Sequence, residues 1–199
     1  MSKDWTGNET TLFAALGASN HSEGDREQND YYATDPQALV SLLAQKKLPH
    51  IIYECACGSG HLSMELEKRG HKVISTDLID RGFGQGNVDF LKVKAIPEGC
   101  TCILTNPPYK FTGEFVAHAL ELLPENGEAI FLLNVNVLAG QARFKRFYSK
   151  GFLSDVYLFI KRIKCAKNGD FDQTKSSAVN YAWFVFRKGY KGSTLLHWI

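Results

Sequence analysis

From residue 36 onward, short apolar runs alternate with stretches whose apolar positions recur every three or four residues, separated by polar or glycine-containing segments. The runs over 50–57, 72–78, 100–105, 128–134, 153–161 and 178–187 read as strands, with a short element at 88–91. Helices are predicted over 37–44, 62–69, 112–123 and 141–150. Asp35-Pro36 offers the first of these an N-cap and a proline in its first turn. Gly70 closes the second. Phe115, Val116, Ala119, Leu120 and Leu123 fall on one face of the third. Pro107 and Pro108 forbid any extension of the strand before them. The alternation predicts parallel βαβ units and a doubly wound α/β sheet. Only a polar stretch, 163–177 with its Asn168-Gly169 turn signal, separates the last two runs, so the final strand is expected antiparallel.

The polar segment 1–28 is expected to be an N-terminal extension, poorly ordered alone, ahead of a single domain over 29–199. Hydrophobic residues make up 44% of the 199, enough for a full core without disulfides or a structural metal. No uncharged apolar run approaches the roughly 18 residues of a membrane span. The start, Met1-Ser2-Lys3-Asp4-Trp5, has no apolar signal core, so a cytoplasmic protein is expected. The cysteines include two Cys-x-Cys pairs, Cys55/Cys57 and Cys100/Cys102, with Cys165 apart. Both pairs lie in strand-like runs rather than in zinc knuckles, so buried reduced thiols are expected and no metal.

The net charge of +2 carries no message, but its distribution does. Residues 1–35 hold seven acids and two bases, whereas 141–167 hold eight bases and only Asp155 as an acid. Arg143, Arg146, Arg162, Lys164 and Lys167 belong to that basic stretch, which suits either a polyanion or simply solvated faces.

Candidate chemistry gathers where the predicted strands end, the place where open α/β sheets bind ligands. Glu54-Cys55-Ala56-Cys57-Gly58-Ser59-Gly60 is an acid followed by a tight Gly-x-Gly turn into a helix. A dinucleotide fingerprint wants a third glycine where Ser63 stands. An acid four residues before the first glycine suits instead the amino-acid end of S-adenosylmethionine. Asp77, ending the next strand, could accept from ribose hydroxyls or cap a loop. Asp89-Phe90 could meet an adenine, or be a helix cap with a core aromatic. The most specific segment is Asn106-Pro107-Pro108-Tyr109. Its prolines stiffen a loop in which the Asn106 side-chain oxygen and the Pro107 carbonyl can face a planar NH2 group together. Tyr109 can stack on the ring bearing that group.

In their order, these motifs resemble class I S-adenosylmethionine-dependent methyltransferases, specifically the gamma-type adenine-N6 DNA methyltransferases. Tyr32-Ala33-Thr34-Asp35-Pro36 occupies the place of a Tyr-x-Thr-x-Pro-like segment that holds the cofactor's methionine end in that family, with Asp35 where many relatives carry proline. Residues 16–22, 29–36, 76–82, 165–171 and 181–192 look like small methyltransferases of phages and prophages. The resemblance implies a Rossmann-like, seven-stranded, mostly parallel sheet with an antiparallel last strand. It implies S-adenosylmethionine as cofactor, held by Tyr32, Thr34, Glu54, Ala56, Gly58, Gly60, Asp77, Leu78, Asp89, Phe90 and Asn106. Asn106, Pro107, Pro108 and Tyr109 would be catalytic, transferring a methyl group to the exocyclic amine of adenine in DNA. Lys110, Arg143, Arg146, Arg162, Lys164 and Lys167 would grip phosphates, and loops 80–87, 136–142 and 163–177 would select the sequence. The same corner serves methyltransferases of RNA base amines and of protein glutamine amides. A non-catalytic nucleic-acid-binding module of the same fold is the reading from a different class.

Overall fold

The computed structural model describes residues 32–146, 148–163, 165–167 and 179–199. The expected extension over 1–28, Lys164 and most of the polar stretch after it lie outside these residues. Nine strands are described: β1 (Tyr32–Thr34), β2 (Ile51–Glu54), β3 (Lys72–Ser75), β4 (Cys102–Thr105), β5 (Glu128–Asn134), β6 (Leu153–Leu158), β7 (Cys165–Lys167), β8 (Tyr181–Arg187) and β9 (Leu195–Trp198). The helices are α1 (Pro36–Leu43), α2 (His61–Glu67), α3 (Thr112–Leu122) and α4 (Gln141–Arg146).

Seven strands form one sheet in the order β3-β2-β4-β5-β8-β6-β9, and β1 and β7 form a separate ribbon. From β3 to β5 every pairing is parallel. β8 runs antiparallel between β5 and β6, and β9 returns parallel to β6. The expected antiparallel strand is therefore β8. It is followed by a further strand, so it is not the last in the chain.

Both faces of the sheet are covered, which explains why β5 and β8 read as unbroken apolar runs rather than alternating ones. On one face α3 lays Phe115, Val116, Ala119 and Leu120 over Tyr53, Ile103, Phe131 and Phe184. On the other, Leu39 and Leu42 of α1 and Leu62 and Leu66 of α2 cover Ile52, Leu104, Leu132 and Trp183. The Asp35 side chain caps α1, accepting from the Gln37 amide at 2.9 Å. Trp183 Nε1 donates to the Ala38 carbonyl at 2.9 Å and ties α1 to β8.

The predicted helix over 141–150 is two pieces, α4 and a 3-10 turn over Tyr148–Lys150. Three strands stop short of their apolar runs. β2 ends at Glu54 because the glycine turn begins there, leaving Cys55 and Cys57 outside it. β3 ends at Ser75 because the chain bends around Asp77. β6 ends at Leu158, and Ile160 beyond it is exposed.

Candidate active site

The carboxyl ends of β2, β3 and β4 meet at one rim. Past β2 the backbone turns through Gly58 (φ 55°) and Gly60 (φ 81°), left-handed conformations that favour glycine. At Gly60 a Cβ would also overlap the Phe83 ring. That contact places loop 80–87 against the glycine turn. The loop is held further by Gln85, whose amide donates to the Ser75 carbonyl at 2.8 Å and whose carbonyl accepts from the Asp77 amide at 3.1 Å. A segment expected to read nucleic-acid sequence is thus fastened to the end of β3.

Asp77, nearly buried, ties two turns together. Its Oδ2 accepts from the Gly58 amide at 2.8 Å and its Oδ1 from the Ile79 amide at 2.9 Å. Each carboxylate oxygen can accept a second bond, so this capping role leaves acceptor capacity on the cavity side. Glu54 is 1% exposed. Its carboxyl accepts from the Ser63 hydroxyl, which also shares a hydrogen bond with Ser75. Burial pushes Glu54 up to about 8, the Ser63 bond opposes the shift, and the charges of Asp77 and Glu67 add to it. Ser63, where a dinucleotide fingerprint would have its third glycine, is the partner of this acid. Its hydroxyl three residues into the helix was the available signal.

β4 delivers Asn106. The Thr105 hydroxyl donates to the Ala56 carbonyl at 3.2 Å, fastening the end of β4 to the glycine turn. Asn106 Nδ2 donates to Thr34 Oγ1 at 2.9 Å. The two prolines follow, and Tyr109 opens a 3-10 turn with its ring 5.8 Å from that of Tyr181 at the start of β8. Thr34, Glu54, Asp77, Asn106 and Tyr109 border a single cavity of about 560 Å³, within the usual range for small-molecule sites. Ala56, Gly58, Leu78, Pro107, Pro108 and Lys110 line it as well.

Asp89 and Phe90 also reach this cavity, in the arrangement of a cap and a core aromatic. Asp89 accepts from the Leu91 amide at 3.1 Å and pairs with Lys92 at 3.0 Å. Phe90 is buried, 5.0 Å from the Phe115 ring and 5.1 Å from His118. Arg81 and Phe111 line the cavity without having been singled out from sequence. Arg81 follows Asp80 in a glycine-rich loop directly after the strand-end acid, which was the available signal. Tyr32 and Lys167 pair with each other in the β1–β7 ribbon. Among the basic residues, Lys110 and Arg162 are exposed, and Lys110 Nζ lies 5.7 Å from the Phe111 ring centroid. Arg143 and Arg146 sit on α4.

Cys55, Cys57, Cys100 and Cys102 are free and buried, and burial pushes their thiols up. Among the described residues no group of three or more His, Cys, Asp or Glu side chains is placed to hold a metal ion. Among them, too, no helix is long and apolar enough to cross a membrane.

No protein-family model matches the chain. Ribosomal RNA small subunit methyltransferase A of Thermotoga petrophila is 36% identical over 84 residues, covering 36% of this chain and 32% of that protein. The Thermotoga maritima protein of the same name is 34% identical over 84 residues, covering 36% and 30%. The chain spans about a third of the length of these curated relatives. A class I S-adenosylmethionine-dependent methyltransferase structure assigned to a Listeria monocytogenes protein superposes with a TM-score of 0.60 at 13% identity, covering 96% of this chain and 71% of that one. A methyltransferase from Pyrococcus furiosus gives 0.54 at 17% identity, covering 90% and 96%. The M protein of the type I restriction enzyme EcoKI gives 0.54 at 14%, covering 78% and 44%. The fold is the Rossmann-like α/β fold of class I methyltransferases.

Proposed function

We propose that the chain is an S-adenosylmethionine-dependent methyltransferase that modifies the exocyclic amine of adenine in DNA. The observation that carries this reading is the meeting of the glycine turn and the Asn106–Tyr109 corner across one cavity, with Asp77 and Asn106 both on its wall.

The residues present suit the cofactor. Gly58 leaves the cavity wall free of a side chain where a ligand must approach the backbone, while Gly60 leaves room for the Phe83 ring. Asp77 retains acceptor capacity for ribose hydroxyls, and Glu54 offers a carboxyl to the amino-acid end. When bound, the cofactor supplies an electrophilic sulfonium methyl group. The protein's part is orientation and electrostatics. An adenine amine is a weak nucleophile because its lone pair is delocalised into the ring. Hydrogen bonds from that amine to the Asn106 side-chain oxygen and the Pro107 carbonyl favour charge build-up on nitrogen and aim its lone pair. Tyr109, backed by Tyr181, offers a face on which an extruded base can stack. Exposed Lys110 beside the cavity, with Arg162 and α4, supplies the phosphate contacts.

A second reading keeps the chemistry and changes the polymer to RNA, favoured by the similarity to the Thermotoga ribosomal RNA methyltransferases. The deciding experiment is tritiated-methyl transfer to DNA, RNA and protein pools in parallel, followed by nucleoside analysis. Label in N6-methyladenine of DNA is expected. Label in RNA alone selects the second reading, and label in protein alone, or none anywhere, overturns both.

A further inference from the structure

We propose that the cavity takes its target adenine from a single-stranded segment of nucleic acid, with Phe111 and Phe144 as the rings on which neighbouring unpaired bases stack. The inference rests on the methyl-transfer reading and adds the strandedness of the substrate.

β4 and β5 are parallel neighbours, so the segments that follow them, 106–113 and 135–151, leave the sheet at the same rim. Together they contain no Asp or Glu, and they carry Lys110, Arg143, Lys145, Arg146 and Lys150. The cavity's acids at β2 and just past β3, Glu54 and Asp77, belong to the other side of the rim. The side that follows β4 and β5 is therefore the one that attracts a polyanion.

The two segments are fastened to each other through β8. The Val135 amide donates to the Asn180 carbonyl at 3.0 Å, and the next residue, Tyr181, stands behind Tyr109 with the rings 5.8 Å apart. The Tyr148 hydroxyl donates to the Val137 carbonyl at 2.6 Å and folds the basic end of its segment back onto the start.

On this basic surface two large rings face solvent. Phe111 borders the cavity and is 43% exposed, and Phe144 on α4 is 58% exposed. Lys110 Nζ lies 5.7 Å from the Phe111 ring centroid, and Lys145 and Lys150 are exposed. Cations interleaved with exposed aromatics are the chemistry of single-strand binding, in which charge tracks the backbone and each ring takes the face of a base. In a duplex those faces are covered by the bases above and below. Wedging a duplex apart takes one inserted side chain, whereas two rings on separate segments suit an open strand. An unpaired target also removes the cost of extruding a paired base.

The test gives the wild-type protein tritiated-methyl cofactor and four substrates. These are sheared genomic DNA without adenine methylation, native or heat-denatured, and RNA, single-stranded or annealed as a duplex. In whichever polymer takes label, the single-stranded form is expected to be methylated about tenfold faster than its duplex, or more. A duplex methylated as fast or faster overturns the inference and leaves the methyl-transfer reading standing. Label in none of the four overturns that reading, and the inference with it. Fluorescence anisotropy of a labelled oligo-dT strand then reads the rings. Phe144→Leu, which stays apolar, and Phe111→Leu should each raise its Kd about tenfold. Phe144→Tyr, which keeps the ring, should bind as the wild type does, and calorimetry should find cofactor affinity unchanged in both Phe144 variants. Wild-type binding by Phe144→Leu, or an equal loss in Phe144→Leu and Phe144→Tyr, overturns the inference.

Discussion

The two ends of the seven-stranded sheet are built on different plans. From β3 to β5 the strands are parallel, so their carboxyl ends fall on one rim. Glu54, Asp77 and Asn106 each stand at or just past such an end. From β8 to β9 the reversed strand breaks that rule, and the contribution to the rim narrows to Tyr181 behind Tyr109. Elsewhere this half is core and edge. Trp183, Phe184 and Val185 are fully buried, and at the outer edge His197 stacks on Tyr157 at 4.4 Å and bonds to Asp155 at 2.9 Å. At the opposite end of β5 from the site, Glu128 joins Lys46 at 2.8 Å and Arg187 at 2.7 Å, bridging the two plans where no ligand is needed. Parallel pairing concentrates chemistry, and antiparallel pairing supplies the packing that holds it still.

Substitutions on the two plans should therefore fail in different assays. The largest effect is expected from Asn106→Ala, which removes an acceptor at the reacting amine. Methyl transfer should drop on the order of a thousandfold while calorimetry finds cofactor affinity largely intact, and equal losses of both would refute the role given to Asn106. Trp183→Ala should instead cost about 3–5 kcal/mol of stability in denaturant titration, with kcat of the remaining folded protein close to wild type. A rate loss without destabilisation there would erase the contrast between the two halves. Asp77→Ala strands the Gly58 amide, a loss on the scale of about 1–3 kcal/mol. Cofactor Kd should rise about tenfold, each such factor being about 1.4 kcal/mol, and an unchanged Kd would remove Asp77 from the site.

The last is a pH effect at Glu54. An unfolded carboxyl ionises near 4.5, whereas the folded group holds its proton up to about 8. The folded state then binds more protons than the unfolded state between those values, so this group's contribution to stability is full below the lower value and lost as pH rises through the upper one. The wild-type Tm should fall between pH 6 and 8.5, and Glu54→Gln should flatten that slope. An equal slope in both proteins would place the pH dependence elsewhere.

The helices over the core and the strand-end motifs were legible because each rests on local signals. Apolar spacing marks α3, Asp35-Pro36 marks the start of α1, and the paired prolines mark the stop after β4. β5 matches its apolar run at both bounds. What was not legible depends on partners distant in the chain. β7 is three residues whose strand character comes from pairing with β1, and it lies in a stretch that reads as polar loop. β9 has mostly exposed side chains, so no inward-facing pattern announces it. Asp77 shows the same limit within the site, since the residue is found from its spacing but its bonds to Gly58 and Ile79 are not. Neither is the Thr34–Asn106 bond, whose two sequence motifs gave no hint that they touch.

The place of β8 also governs the order in which the chain can assemble. Its seven residues pair with β5 from Glu128↔Arg187 through Asn134↔Tyr181 and with β6 on the other side. Until residue 187 has left the ribosome, both neighbours present open backbone along apolar strands, a template for wrong partners. A polypeptide cut short before position 181 would hold Glu54, Asp77 and the Asn106–Tyr109 corner and still be expected to precipitate.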